Sequence, residues 1–173
     1  MDPRTLLELR TDAPVVLRLE VEVAATPDRI WAHLVDVEHW YRFHPGMDFA
    51  SLRGEDPAPG IQLRWRADGM RVSSILHEVD PGRRLSWTLR TPGGRGYQRW
   101  TLEEASPERT LVRTEESWWG LLPFILRGTL RRTLRVSRTA WLEGLREIAE
   151  DPDRQPPEDR DRRTPEDRDR PGP

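Results

Sequence analysis

The chain contains no cysteine, no lysine and no asparagine among its 173 residues. Without cysteine it has no disulfide bond, no thiol nucleophile and no thiolate metal ligand, which agrees with a reducing compartment. Without lysine it cannot form a Schiff base with a substrate, and all 28 basic residues are arginines with a permanent charge. The lack of asparagine excludes N-glycosylation. These absences remove several classes of catalytic and metal site.

Long apolar runs are also missing from the chain. The longest, Trp118 to Leu126, is far shorter than the roughly 20 residues that a membrane-spanning helix needs. The first residues, Met1 to Arg4, lead into a charged segment and not into the apolar stretch of a secretory signal. We therefore expect a protein that has no transmembrane segment and is located in the cytoplasm.

The last part of the chain, residues 151–173, has no large apolar residue. It contains eight acidic residues, six arginines and six prolines, and the sequence Pro-Glu-Asp-Arg-Asp-Arg occurs in it twice. Because such a segment cannot bury a core, we expect it to be a disordered tail. Residues 1–12 then form an N-terminal extension, and residues 13–150 form one domain. Residues 1–150 carry 22 arginines and 22 acidic residues, and this balance argues against binding of nucleic acid.

The features that are present begin with a strand followed by a helix. In Val15–Val23 apolar residues alternate with charged ones, which is the period of a half-buried strand. Thr26 then supplies an N-cap hydroxyl, and Pro27 suits the first turn of a helix. An aromatic corner, Trp40–Pro45, follows with the sequence Trp-Tyr-Arg-Phe-His-Pro.

Six further alternating runs come next, separated by turn residues, and the pair Asp68-Gly69 is a strong hairpin signal. The predicted strands are Phe49–Arg53, Ile61–Arg66, Met70–Val79, Arg84–Arg90, Tyr97–Glu103 and Thr110–Trp118. From Leu121 to Ala149 apolar residues recur at helical spacing, which predicts one long helix with Pro123 in its first turn. This order predicts an α+β fold, in which a curved antiparallel sheet of about seven strands wraps around the long C-terminal helix, with one or two short helices after the first strand.

The order of elements resembles that of a known family. The resemblance is carried by the helix start Thr26–Trp31, the aromatic corner, the turn Val79–Pro81, the segment Thr110–Glu116 and the arginine- and leucine-rich last helix. From about Val15 to Ala149 the chain is similar to the SRPBCC superfamily, the START-like helix-grip group that includes polyketide cyclase/dehydrase and lipid-transport proteins. The resemblance implies a hydrophobic ligand cavity between the sheet and the last helix. Because the group includes both cyclases and carriers, it leaves the chemistry open.

Tryptophan is unusually frequent, with eight residues against two tyrosines and three phenylalanines. Five of the eight fall on the apolar face of their element, where a flat ring with one N–H donor suits a planar ligand as well as a filled core. The residues that we expect to line a ligand cavity are Phe43, His44, Phe49, Leu63, Trp65, Trp87, Trp100, Glu116, Trp118, Leu126, Leu130, Thr133, Ser137 and Trp141.

Three residues are candidates for proton transfer. Glu116 shares the strand parity of inward-facing neighbours, and burial there would raise its pKa into the range of a general acid or base. The alternative is a glutamate at the rim, paired with a neighbouring arginine. His44 and His77 are candidates for proton transfer or are packing residues. The spacing of the histidines fits no metal site, so we expect no metal and no cofactor.

The sequence leaves three functions open. The first is binding or transport of a hydrophobic or aromatic small molecule that is lipid-like or polyketide-like. The second is a polyketide aromatase/cyclase-type enzyme that uses Glu116 and a histidine, and the third is a non-catalytic protein-interaction domain. We favour the first because the sequence offers few polar groups that would converge inside a cavity.

The last helix also carries a basic stripe, which consists of Arg127, Arg131, Arg135 and Arg138. The stripe is interpreted as a solvated helix face, and weak contact with an anionic surface is the alternative.

Overall fold

The computed structural model describes residues 9–151 and residue 153. Most of the predicted N-terminal extension and most of the predicted tail therefore lie outside the described residues. The elements in chain order are β1 (Val15–Val23), α1 (Pro27–Val35), a 3₁₀ helix (Val37–Arg42), β2 (Met47–Leu52), β3 (Gln62–Ala67), β4 (Met70–Asp80), β5 (Arg84–Thr91), β6 (Gly94–Ser106), β7 (Arg109–Trp119), α2 (Leu121–Ile125) and α3 (Arg127–Glu150).

The strands form one antiparallel sheet in the order β1-β7-β6-β5-β4-β3-β2. Consecutive strands pair from β2 to β7, and β1 then pairs with β7, with Val15 opposite Trp118. Two short helices, α1 and the 3₁₀ helix, separate β1 from the rest, and the longest helix comes last. The α+β helix-grip fold predicted from the sequence is confirmed.

The β3–β4 hairpin turns at Asp68-Gly69, as the sequence predicts. Both residues have positive φ, 51° and 76°, which is the backbone of the two-residue turn that joins twisted antiparallel strands. The Asp68 N–H donates to the Gly46 carbonyl over 2.9 Å. A Cβ atom on Gly46 would lie 2.0 Å from Asp68 Oδ1, so a larger residue would displace the Asp68 carboxylate where the hairpin tip meets the aromatic corner.

Tryptophan rings fill the core. Those that are almost fully buried are Trp40, Trp65, Trp87, Trp100, Trp118 and Trp141. Trp141 projects from α3 into the middle of this set, and its ring centroid lies 5.0 Å from that of Trp40 and 5.1 Å from that of Trp100. Both contacts are edge-to-face, the arrangement that aromatic quadrupoles favour. Because these partners come from the aromatic corner and from β6, Trp141 joins α3 to both.

The last helix is interrupted at Leu126, so the predicted continuous helix from Leu121 to Ala149 is wrong at that residue. Helix α2 has its own anchor on the β5–β6 turn. The Leu122 N–H donates to the Gly93 carbonyl over 3.0 Å, and a Cβ atom on Gly93 would lie 2.7 Å from Leu122 Cγ. Pro123 does lie in the first turn of α2, where its missing N–H has no partner to lose.

Phe49 does not face the core, which contradicts its predicted place in a cavity. The register of β2 against β3 shifts between Met47 and Phe49, and Phe49 lies opposite Arg66 on the outer face with 48% of its surface exposed. A bulge adds one residue to a strand and so reverses the side to which the following side chains point.

A second bulge lies in β4 at His77. The register against β5 shifts between Leu76 and Glu78. Residues up to Leu76 face the core at even positions, whereas Val79 packs against the core beyond the bulge. His77 is half-buried at the point where the two faces exchange.

The position where α3 crosses the aromatic corner yields a test of the packing. A Cβ atom on Gly144 would lie 2.0 Å from the Phe43 carbonyl oxygen. Replacing glycine by alanine inside a helix normally stabilises by about 0.5–1 kcal/mol, but overpacking against backbone costs about 1–3 kcal/mol or more. We therefore expect Gly144→Ala to lower the free energy of unfolding, as measured by urea denaturation.

Gly128→Ala is the matched control for this test, because it lies in the same helix and its Cβ atom would have no neighbour within 4 Å. That variant should gain stability. Equal stabilisation by both substitutions would contradict the close approach of α3 to the corner.

Candidate functional site

Two adjoining cavities lie where the β3–β4 hairpin meets helices α2 and α3. The first, of about 340 Å³, lies under α3 and reaches Trp65, Ser137 and Arg138. The second, of about 490 Å³, extends toward Trp118 and the β5–β6 turn. The residues that both share are Gly69, Met70, Leu126 and Leu130. These volumes lie in the range of sites that bind small organic molecules.

Six of the predicted lining residues border these cavities: Trp65, Trp118, Leu126, Leu130, Thr133 and Ser137. Seven others are buried but border neither cavity: Phe43, His44, Leu63, Trp87, Trp100, Glu116 and Trp141. Tryptophan rings occupy the centre of the sheet, where the sequence predicts the cavity. The space for a ligand lies instead beside the β3–β4 hairpin and the β5–β6 turn. A ligand-binding role for the six bordering residues stays a prediction.

Sequence reasoning missed the contribution of the hairpin tip and of α2. Asp68, Gly69 and Met70 form one wall, and Leu122 and Pro123 form part of another. Met70 begins β4 directly after the predicted turn. Its place beside the helix depends on the docking of that turn against the aromatic corner, a tertiary contact that local patterns do not contain.

Glu116 and Arg138 form a buried ion pair beside the first cavity. Arg138 Nε lies 3.2 Å from Glu116 Oε2, and only 1% of each side chain is exposed. The guanidinium lies between two rings, 5.7 Å from the centroid of Trp65 and 5.4 Å from that of Trp141. Burial of a charge needs such pairing, because an unpaired ion in the interior is strongly unfavourable. The predicted inward orientation of Glu116 is confirmed, and its partner is an arginine, although not at the rim.

Arg138 was expected on the basic stripe of the last helix, and that assignment is wrong. It follows the buried Leu134 by four residues and precedes the buried Trp141 by three, so helical periodicity places it on the inner face. The burial of Arg138 could therefore have been predicted from its spacing to Leu134 and Trp141. The guanidinium has one nitrogen, Nη2, that has no hydrogen-bond partner among the described residues, and Glu116 Oε1 likewise has none.

His44 is held in one tautomer by its neighbours. The Gly46 N–H points at His44 Nδ1 over 3.1 Å, so Nδ1 carries the lone pair and Nε2 carries the proton. Nε2 lies 3.4 Å from Ser137 Oγ. Burial and the nearby Arg138 lower the pKa of His44 to about 4. The imidazole is therefore neutral near pH 7, and neither nitrogen is free to accept a proton from a substrate.

Ser137 connects His44 to the hairpin tip. Its hydroxyl donates to Asp68 Oδ2 over 2.6 Å and accepts from Arg138 Nη1 over 3.1 Å. A hydrolytic triad would need the carboxylate on His44 Nδ1 and the serine proton directed at Nε2. Here the carboxylate contacts the serine and Nε2 is the donor, so the arrangement cross-links α3 to the hairpin and does not activate a nucleophile.

His77, the other histidine candidate, borders neither cavity. Partial burial lowers its pKa, with no charged partner contributing. The structure therefore does not bring His44, His77 and Glu116 together around a common space.

A larger hollow, of about 840 Å³, lies on the outer face of the sheet. Its charged groups neutralise one another across the strands. Arg99 lies 2.6 Å from Glu115, and Arg113 lies 2.9 Å from Glu20. Cross-strand pairs of this kind stabilise the register of a sheet. Each of the four arginines that line the hollow is paired with a glutamate, and Leu19 is the one large apolar residue in its lining. The cavities beside α2 and α3 are therefore the better candidates for an apolar ligand.

No group of three or more histidine or acidic side chains suited to a metal ion occurs in residues 9–151 and 153. Within the same residues, no helix is long and apolar enough to cross a membrane.

The family model described as polyketide cyclase / dehydrase and lipid transport matches residues 14–150, most of the chain. The chain belongs to this family. The resemblance to the START-like SRPBCC superfamily is thereby confirmed. No curated protein sequence is similar enough to the chain to serve as a relative.

Solved structures show the same fold. A hypothetical protein from Helicobacter pylori has 17% sequence identity and a TM-score of 0.75, covering 86% of this chain and 95% of that one. A START superfamily protein from Mycobacterium smegmatis has 17% identity and a TM-score of 0.62, with coverages of 77% and 98%. An aromatase/cyclase from a Streptomyces species has 19% identity and a TM-score of 0.65, with coverages of 79% and 93%. At these identities the likeness is one of fold.

Burial of His44 makes the folding stability of this polyketide cyclase/dehydrase family member depend on pH. Because its pKa is about 4 when folded and about 6.5 when unfolded, the unfolded chain takes up the proton first as pH falls. Folding stability is therefore lost between these values, by up to about 3 kcal/mol. We expect wild type to lose stability from about pH 7 to about pH 5 and His44→Gln to lose less, as measured by urea unfolding.

His39→Gln is the control, because the side chain of His39 is partly exposed, where it contacts Asp36. It should leave the difference between the two pH values nearly unchanged. An identical pH dependence in wild type and His44→Gln would contradict a neutral, buried His44.

Proposed function

We propose that this chain binds and carries an apolar or aromatic small molecule, lipid-like or polyketide-like, in the cavities between the β3–β4 hairpin and helices α2 and α3. The observation that carries the proposal is the apolar wall formed by Trp118, Leu122, Leu126, Leu130 and Met70. Such a wall removes a ligand's apolar surface from water at about 25 cal/mol per Å². Membership of a family described by polyketide cyclase/dehydrase activity and lipid transport supports the same ligand class.

We infer that the ligand has one polar end. The inner cavity ends at Ser137 and Arg138, and Arg138 Nη2 has no partner among the described residues. Nη2 is buried in this structure, and after a small rotation of the guanidinium toward the cavity it would donate a charge-assisted hydrogen bond to a carbonyl, hydroxyl or carboxylate oxygen. The remaining length of the ligand would lie along Leu130 and Trp118. This arrangement favours an amphipathic molecule over a plain hydrocarbon.

A carrier is better supported than a cyclase. Cyclisation and dehydration require a group that accepts a proton and returns it within reach of the substrate. Both nitrogens of His44 are engaged, and Glu116 is paired with Arg138 behind the cavity wall. The aromatase/cyclase of similar fold is a relative by architecture, and architecture is compatible with many chemistries. We accordingly propose a protein without a cofactor, in which residues 13–150 form the binding domain, and its cytoplasmic location stays a prediction.

Filling the cavity tests the proposal. Leu130 borders both cavities, and we expect Leu130→Trp to weaken binding of 1-anilinonaphthalene-8-sulfonate, an apolar fluorescent dye with an anionic end, by at least about tenfold because the added ring occupies the space. The measurement is a fluorescence titration of dye into wild type and variant.

Val136→Trp is the control, since Val136 lies on the same helix, is exposed and borders neither cavity. It should bind the dye as wild type does. Wild type that binds no dye, or equal affinity in Leu130→Trp, would contradict the carrier and favour the protein-interaction domain.

A further inference from the structure

We propose that α2 and the first turns of α3 form a docking surface for an anionic lipid bilayer. The proposal concerns two neighbouring sets of residues. The apolar tip consists of Leu121, Phe124 and Ile125, and the basic flank consists of Arg127, Arg131, Arg132 and Arg135. Neither set is needed to hold the core, so their composition requires another explanation.

The apolar tip is unusually exposed. The exposed fractions are 68% for Leu121, 67% for Phe124 and 62% for Ile125. Pro123 is the buried residue of this helix, and Leu122 faces the cavity. Large apolar side chains that project together from one short helix mark an interaction site more often than a bare surface. Helix α2 is fixed in this pose by the hydrogen bond from the Leu122 N–H to the Gly93 carbonyl.

The charges beside the tip have one sign. No acidic residue occurs from Leu121 to Ala140, and the four arginines of the basic flank are exposed. No ion pair to any of the four is found among residues 9–151 and 153, whereas on the outer face of the sheet Arg18, Arg99 and Arg113 all contact glutamates. An unpaired basic surface next to projecting apolar side chains is the pattern of a segment that inserts at a membrane interface.

The position of this surface fits a bilayer better than an acidic protein. A helix of five residues that projects three apolar side chains offers no groove for a partner element, but it can enter the boundary between headgroups and acyl chains. The adjoining arginines would then lie at the level of lipid phosphates. The same helix borders the cavity through Leu122 and Pro123. Docking would therefore bring the cavity next to the acyl chains. The use of this arrangement for loading a ligand rests on the proposed function, whereas docking itself does not.

Co-sedimentation of the full chain with vesicles tests the proposal. We expect wild type to bind vesicles that contain phosphatidylglycerol and to bind pure phosphatidylcholine much more weakly. Replacing Leu121, Phe124 and Ile125 together by serine should weaken binding at least about tenfold. Replacing Arg127, Arg131 and Arg135 by glutamine should weaken it about fivefold per charge, and added salt should weaken the wild type in the same direction.

Phe49→Ser combined with Ile75→Ser is the matched control, because both are exposed apolar residues outside α2. It should bind vesicles as wild type does. Loss of binding in this control, or unchanged binding in both the serine and the glutamine variants, would overturn the proposal. So would sedimentation equilibrium that shows a wild-type dimer split by the serine substitutions, which would assign the tip to a second copy of the chain. The residues altered in these variants border neither cavity, so the variants should still bind the dye. Dye binding therefore distinguishes failure of docking from failure of the carrier function.

Discussion

The contact on which the rest of the structure depends is the insertion of Trp141 among the rings of the core. Its centroid lies within 6.4 Å of those of Trp40, Trp65, Trp87 and Trp100, and it also meets His44 at 5.0 Å. One side chain of the last helix therefore touches the aromatic corner and three strands. Rings of this size bury about 150–250 Å² each and admit few alternative packings. The sheet holds its helix through these rings, and the same rings fill the space that a deep cavity would need.

Filling of the centre has a consequence for function. The two candidate cavities lie where the rings end, between the β3–β4 hairpin and helices α2 and α3. The polar groups next to it are used in structure, since Ser137 binds Asp68 and Arg138 binds Glu116. A site whose titratable groups are already engaged suits binding and release better than proton transfer. If the proposed carrier function and docking surface are correct, the exposed α2 would bring this cavity next to the lipid in which the ligand dissolves.

Much of this arrangement follows from local patterns in the sequence. Alternation located the strands and the inward orientation of Glu116, the Asp68-Gly69 pair located the β3–β4 turn, and helical spacing located α3. Alternation failed for Phe49, because a bulge adds one residue to the strand and reverses its faces without changing the composition. A second bulge of this kind lies at His77, whose orientation alternation does not predict. Local patterns also failed for Arg138, which was grouped with its charged neighbours and not with Leu134 and Trp141. Its partner Glu116 lies 22 residues away on β7, and only the fold brings the two together.

The central claim is that the tryptophans divide into core rings and cavity walls. Trp65 and Trp118 border the cavities, whereas Trp87 and Trp100 do not. The most direct measurement is nuclear magnetic resonance of the indole N–H signals, assigned by single Trp→Phe substitutions, during titration with 1-anilinonaphthalene-8-sulfonate. The account predicts that the signals of Trp65 and Trp118 shift with the dye while those of Trp87 and Trp100 stay in place. Shifts confined to Trp87 and Trp100 would contradict it, because the ligand would then enter the centre of the sheet.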